Sequence, residues 1–182
     1  MEPEATTETV QTNKVNPMKE IRIEKTTVNI GVGEAGERLD NEIKVIEQLT
    51  KKKAVKTLCK VKQPGWGIRE GLTIGAKITL RGKNAEEFLK STFIAKQNEL
   101  SNKNFDRTGN FGFGIKEHIE MPGVKYDPKL GIIGFDVLVT LERPGYRLKR
   151  RKIKKSSVGN KHRITKEEAI AFVKEKFGVE IA

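Results

Sequence analysis

Residues 28–43 read VNIGVGEAGERLDNEI, and Gly31, Gly33 and Gly36 within them spell G-x-G-x-x-G. The glycines stand between a strand-like run and a helix-like one, where a dinucleotide-binding loop would sit. The strand before such a loop is buried on both faces and should be apolar throughout. Here EIRIEKTTVNIGVG (20–33) alternates instead. Thr26, Val28, Ile30 and Val32 share one face, and Lys25, Thr27 and Asn29 share the other. That period belongs to a half-buried strand with an open polar face. Ile21 and Ile23 break the parity, which predicts a β-bulge near Glu24. An acid about 20 residues on should hold the ribose, but Lys51, Lys52, Lys53 and Lys56 stand there. The glycines therefore read as a tight turn, or as room for a bulky partner such as an RNA backbone.

Working outward, Leu39, Ile43, Ile46 and Leu49 form one apolar stripe, which predicts a helix over 37–49. TKKKAVKTLCKVK follows as a short extended piece rich in lysine. QPGWGIREGLTIG (63–75), punctuated by Pro64 and four glycines, reads as a long loop or flexible hairpin tip. AKITLRG (76–82) sets Ile78 and Leu80 against Lys77, Thr79 and Arg81, a second strand with a basic polar face. Asn84 with Glu87 has the spacing of a capping box and predicts a helix over 85–100. FDRTGNFGFGIKEH and EMPGVKYDPKLGIIGF read mostly as turns. IGFDVLVTLER (133–143) alternates Phe135, Val137, Val139 and Leu141 and is the clearest strand. Thr165 and Glu168 predict a second capping box, opening a final helix. One buried and one open sheet face exclude a doubly wound sheet. The fold class expected is α+β, with a largely antiparallel sheet and helices packed on one face. Four segments are expected: a disordered tail over 1–16, an RNA-binding core over 17–143, a basic arm over 144–164, and a C-terminal helix over 165–182 that packs on the core.

The chain has 182 residues, 36 of them Lys or Arg and 24 Asp or Glu, for a net charge of +12. Such an excess on a small protein points to a polyanion, most often nucleic acid. It is concentrated: Arg143 to Arg163 contains ten basic residues and no acid. Ten cations in one stretch repel each other and favour an anion that neutralises them, so the arm is expected to order only on RNA. No apolar run of about 18 residues supports a membrane span. Cys59 is the only cysteine, so no internal disulfide or cysteine-based zinc site is available, which fits a reducing, cytoplasmic setting.

Catalysis finds no support. His118 and His162 are the only histidines, and both read as satisfied surface residues. Glu117-His118 lacks the second histidine of a zinc helix, and no G-x-S-x-G nucleophile motif occurs. No catalytic residue, metal site, cofactor or small-molecule substrate is expected.

EKTTVNIGVGEAGERL, GIREGLTIGAKITLRG, FDRTGNFGFGIKEH and PGVKYDP closely resemble the universal large-subunit ribosomal protein L-five family, which binds 5S ribosomal RNA. The tail ERPGYRLKRRKIKKSSVGNKHRITKEEAI resembles the archaeal and eukaryotic form. The resemblance covers about residues 17–181. It implies that the open sheet face lies on 5S RNA, with a further contact to a helix of the large-subunit RNA in the central protuberance. Asn29 and Thr79 match family positions that touch 5S RNA. Lys52 stands where the family usually carries the glutamine of a G-Q-K-P motif, so phosphate contact by lysine would replace a hydrogen bond. The loop KQPGWGIREG matches the segment that reaches transfer RNA in the peptidyl site. Ribosomal protein S-thirteen would bridge from the small subunit.

The residues agree with that resemblance. Lys25, Thr27, Asn29, Lys77, Thr79 and Arg81 present short polar side chains among cations, which suits 2′-hydroxyl and phosphate recognition; Lys52 joins them on the resemblance. Lys62, Gln63, Trp66 and Arg69 are the candidates in the loop, with Trp66 placed to stack on a base or ribose unless it folds back onto the core. Arg147, Lys149, Arg150, Arg151, Lys152, Lys154, Lys155, Lys161 and Arg163 are the candidates of the arm, for other ribosomal RNA. The competing reading is a non-ribosomal regulator or chaperone that grips structured RNA by charge alone.

Overall fold

The alternation in 20–33 does build a strand, β1 (Arg22–Gly31), with Thr26, Val28 and Ile30 buried. Its pairing shifts register between Ile23 and Lys25, so the expected bulge lies at Glu24. The extra residue turns Ile23 back to the side of Leu141, its partner, and resolves the broken parity. The computed structural model describes residues 16–34, 36–124, 127–128 and 130–181. Apart from Asn16, the tail expected over 1–16 lies outside the described residues, as do Lys125 and Tyr126 of the PGVKYDP motif.

From β1 the chain passes into α1 (Glu37–Thr50), whose buried side carries Leu39, Val45 and Ile46. Lys51 ends it in the left-handed conformation. The hairpin β2 (Val55–Leu58) and β3 (Thr73–Leu80) follows, then α2 (Lys83–Ala95) and the two-residue β4 (Glu99–Leu100). Next come β5 (Phe111–Ile115), β6 (Phe135–Glu142), the single turn α3 (Arg147–Arg150), α4 (Lys166–Phe177) and β7 (Glu180–Ile181). The main sheet has the order β2-β3-β1-β6-β5, antiparallel throughout. β4 and β7 form a small parallel pair that ties the C-terminus to the end of α2. This is the α+β architecture expected.

Helices cover one face of the sheet. Phe93 of α2 packs its ring 5.4 Å from Phe113 of β5 and 5.1 Å from Phe177 of α4. Phe88 lies 6.5 Å from Phe135 of β6. These rings, with Val28, Ile78, Leu89, Val137 and Val139, form the core. Each large side chain buried there contributes about 1.5–3 kcal/mol relative to exposure.

Three local expectations are corrected. Phe111–Ile115 is a strand rather than a turn: Phe111, Phe113 and Ile115 face the core, and the intervening Gly112 and Gly114 face outward. Glycine obscured the alternation. α2 opens at Gly82, not Asn84, and no side chain caps it; it ends at Ala95, where Gln97 and Asn98 take positive φ. His118 is buried, and its Nδ1 accepts the Ile133 N–H at 3.3 Å. Of the two readings of 63–75 the hairpin tip is the one found: Cys59 N–H donates to Leu72 O at 2.8 Å and Gly71 N–H to Cys59 O at 2.9 Å, so the hairpin continues beyond β2. The capping box at α4 forms as expected, with the Glu168 N–H donating to Thr165 Oγ1 and the Thr165 N–H to Glu168 Oε2.

Candidate nucleic-acid interface

At Val32 and Gly33 the glycine loop after β1 is no phosphate cradle. A cradle needs free backbone N–H groups, but Val32 and Gly33 both donate to Ile74 O, at 2.9 and 3.0 Å. Its glycines serve the turn, with Gly33 at φ 83°. The strand before it is the centre of an antiparallel sheet, which no dinucleotide fold has.

The face away from the helices is bare. Strand register fixes what stands on it. Thr27 of β1 lies opposite Thr79 of β3 and Leu138 of β6. One step along, Asn29 lies between Lys77 and Asp136. At the far end Gly31 faces Gly75, and at the near end Lys25 faces Thr140. Lys77 and Thr79 are exposed; Lys25, Thr27 and Asn29 are half-buried by their neighbours. Five of the seven residues expected at this site thus share one flat surface. Arg81 lies at its margin, donating to Glu24 O at 3.3 Å. Lys52 is not on the sheet; it is exposed in the turn between α1 and β2. The face also includes outward residues not singled out from sequence: Asp136, Leu138 and Thr140, and the glycines at 31, 112 and 114, whereas Gly75, opposite Gly31, is buried. The parity of β6 carried the first three. Thr26, on the buried side, has no hydrogen-bond partner for its Oγ1 among the described residues.

The hairpin tip carries Lys62, Gln63, Trp66 and Arg69, all exposed. Gln63 and Ile68 exchange backbone hydrogen bonds at 3.0 and 3.2 Å, and a turn of 3-10 helix over Pro64–Trp66 ends at Gly67 with φ 68°. Trp66 points outward and is 79% exposed, so it does not fold back onto the core.

The arm follows a defined path across the margin of the sheet. It has no acid of its own, but acids outside it neutralise part of it. Arg150 forms ion pairs with Glu24 of β1 and, at 2.5 Å, with Glu142 of β6. Glu142 also holds Arg22 at 2.9 Å. Arg150 is therefore a structural tie as well as a surface cation. Arg151 and Arg163 donate to the backbone carbonyls of Lys154 and Val158, at 2.6 and 3.2 Å. Arg147, Lys149, Lys152, Lys154, Lys155 and Lys161 are exposed and make no ion pair among the described residues. Between arm and sheet lies a cavity of about 670 Å³, rimmed by Lys25, Arg107, Lys149, Arg150 and Arg163 over a floor that includes Leu141. Asp106, nearby, is held below the usual carboxylate range by the Thr108 hydroxyl and by backbone N–H groups, Arg107 first.

Among the described residues no group of three or more His, Cys, Asp or Glu could hold a metal ion, and no helix is long and apolar enough to cross a membrane. The fold and site together define a basic α+β protein with one helix-covered sheet face and one open polar face. Two family models match the chain: "Ribosomal protein L5" over residues 16–69, and the model of that ribosomal family's C-terminus over residues 73–172. "Large ribosomal subunit protein uL5" of Methanococcus vannielii is 55% identical over 168 residues, covering 91% of this chain and 93% of that relative. The protein of the same name from Nanoarchaeum equitans is 52% identical, covering 91% and 98%. That of Sulfurisphaera tokodaii is 49% identical, covering 94% and 97%. The chain belongs to the L5 family of large-subunit ribosomal proteins, whose members are structural constituents and not enzymes.

Proposed function

We propose that the open sheet face binds 5S ribosomal RNA and that the exposed cations of the arm bind large-subunit RNA in the central protuberance. The observation that carries this reading is the register that sets Thr27 beside Thr79 and Asn29 beside Lys77 on an uncovered face. Hydroxyl and amide groups reach the 2′-hydroxyls and base edges of a shallow minor groove, and lysines supply the phosphate contacts. The exposed glycines at 31 and 114 let a backbone approach closely. Trp66, at the tip of the hairpin, contacts transfer RNA in the peptidyl site, and the subunit's edge meets the small-subunit protein S-thirteen.

Equilibrium binding to 5S RNA and to an unrelated structured RNA of equal length, across a salt series, tests the reading. Preference for 5S that persists as salt rises supports it. Equal affinities that fall together with salt would leave a polycation gripping RNA by charge, the chaperone-like alternative.

A further inference from the structure

Asp136 is an anion on a face otherwise suited to a polyanion. It is exposed between the buried Phe135 and Val137, so it points away from the core. Strand register places it in one row across the sheet: Val55, Lys77, Asn29, Asp136, Gly114. The other acids at this margin are engaged, Glu24 with Arg81 and Arg150, and Glu142 with Arg22 and Arg150. The Asp136 side chain makes no hydrogen bond or ion pair among the described residues. On one side it has the Asn29 amide. On the other it has Gly114, where a Cβ would stand 3.3 Å from Asp136 Oδ1 and crowd it.

An ionised carboxylate only accepts hydrogen bonds. Phosphate oxygens also only accept, so a phosphate beside Asp136 would be repelled and unpaired. RNA presents two kinds of donor at a minor groove, the 2′-hydroxyl and the guanine N2 amino group. Lys77, two strand spacings or about 10 Å from Asp136, is placed for phosphate. Asn29 between them can donate and accept. The row therefore changes from cation to amide to anion, in register with phosphate at one end and donors at the other.

We propose that Asp136 is a specificity-determining residue, accepting hydrogen bonds from guanine amino or 2′-hydroxyl donors and turning phosphate away. This rests on the reading of the open face as the RNA site. It makes a prediction of sign that a solvated surface acid does not. With the full chain, Asp136→Ala lowers affinity for 5S RNA about tenfold, the scale of one lost specific contact. The same change leaves affinity for the unrelated RNA unchanged or raises it, because a repulsive charge has gone. Because Asp136 has no side-chain partner among the described residues, Asp136→Ala and Asp136→Asn keep the wild-type Tm.

Two modified 5S transcripts separate the donors. Inosine in place of guanosine removes the N2 amino group, and 2′-fluoro nucleotides remove the hydroxyl donor. Wild type loses affinity for one of them, and Asp136→Ala loses less for that same RNA. If Asp136→Ala binds both natural RNAs more tightly, or 5S RNA as well as wild type does, the carboxylate reads nothing and the proposal is overturned. Equal losses by both proteins on both modified RNAs overturn it too. If wild type shows no preference for 5S RNA, the reading of the face falls and takes this inference with it. If the preference for 5S RNA is as large in Asp136→Ala as in wild type, the inference alone is removed.

Discussion

Arg143 Nη2 donates to Glu168 Oε1 across 2.8 Å, joining the end of β6 to the first turn of α4. The guanidinium is buried, and its other nitrogens donate to Lys19 O at 3.0 Å and Arg163 O at 3.3 Å. One side chain thus gathers the start of the described chain, the end of the arm and the last helix. The same carboxylate of Glu168 closes the capping box on Thr165.

Arg143→Met should cost about 3 kcal/mol, the lower end for breaking a buried pair, since Glu168 can reach water while two carbonyls lose their donor. The urea midpoint measures it. A loss under about 1 kcal/mol, the scale of one ordinary hydrogen bond, would mean that the arm and α4 hold their places without this tie.

Two glutamates give the stability opposite pH dependences. The Thr165 N–H, with Arg143 adding to it, holds the Glu168 carboxyl below its ordinary 4.5. Its stabilisation is complete above that value and drains as pH falls through the lowered one. Burial raises Glu42, against the Arg38 guanidinium 3.4 Å away, and Glu42 Oε2 has no hydrogen-bond partner among the described residues. The protonation that favours the fold there is complete below the ordinary 4.5 and lost as pH rises through the raised value. Glu42→Met should therefore stabilise at about pH 7 by about 1 kcal/mol. That gain should shrink toward about pH 4, where the wild-type carboxyl is protonated. Equal gains at both pH values would exclude the buried charge as the cause.

Gly109→Ala should cost about 3 kcal/mol, combining left-handed strain with overpacking. Its φ is 77°, and a Cβ would come within 2.5 Å of Ile164 Cγ2, the buried last residue of the arm. Gly33→Ala is the control: φ is 83° but nothing lies within 4 Å of the added atom, so only strain of about 1 kcal/mol remains. Thermal unfolding of the two variants compares them directly; equal losses would show that packing at Ile164 contributes nothing.

Trp66→Ala should leave stability within about 0.5 kcal/mol of wild type, as exposed changes do. Under the proposed function it should weaken transfer RNA binding to subunits carrying the variant while 5S binding is kept. A large fall in Tm would place Trp66 in the packing instead.

Asn29→Ala with Thr79→Ala should weaken 5S binding by about 2 kcal/mol or more, at about 1 kcal/mol or more for each specific contact, with little change in Tm. Asn29 faces Lys77 and Thr79 faces Thr27, so the pair samples two adjacent rows of the face. Unchanged affinity would remove the sheet face as the site.

The alternation of β1, β3 and β6 stands in the amino-acid sequence itself, and with it the two unlike faces of an antiparallel sheet. Period two is a property of the extended backbone, so the outward positions of Thr27, Asn29, Lys77 and Thr79 were legible before any pairing was known. The bulge at Glu24 and the cap at Thr165 were legible for the same local reason. What depends on contacts between distant segments waited for the folded chain. β5 emerged only by pairing Phe111, Phe113 and Ile115 with β6, because its glycines carry no pattern. His118 became buried, and Arg143 and Arg150 found acids 25 and 126 residues away. Sequence showed an uncompensated basic block; the fold spent part of that charge on itself. The register that sets Asp136 beside Asn29 is likewise a fact of pairing between β1 and β6, and no single strand contains it.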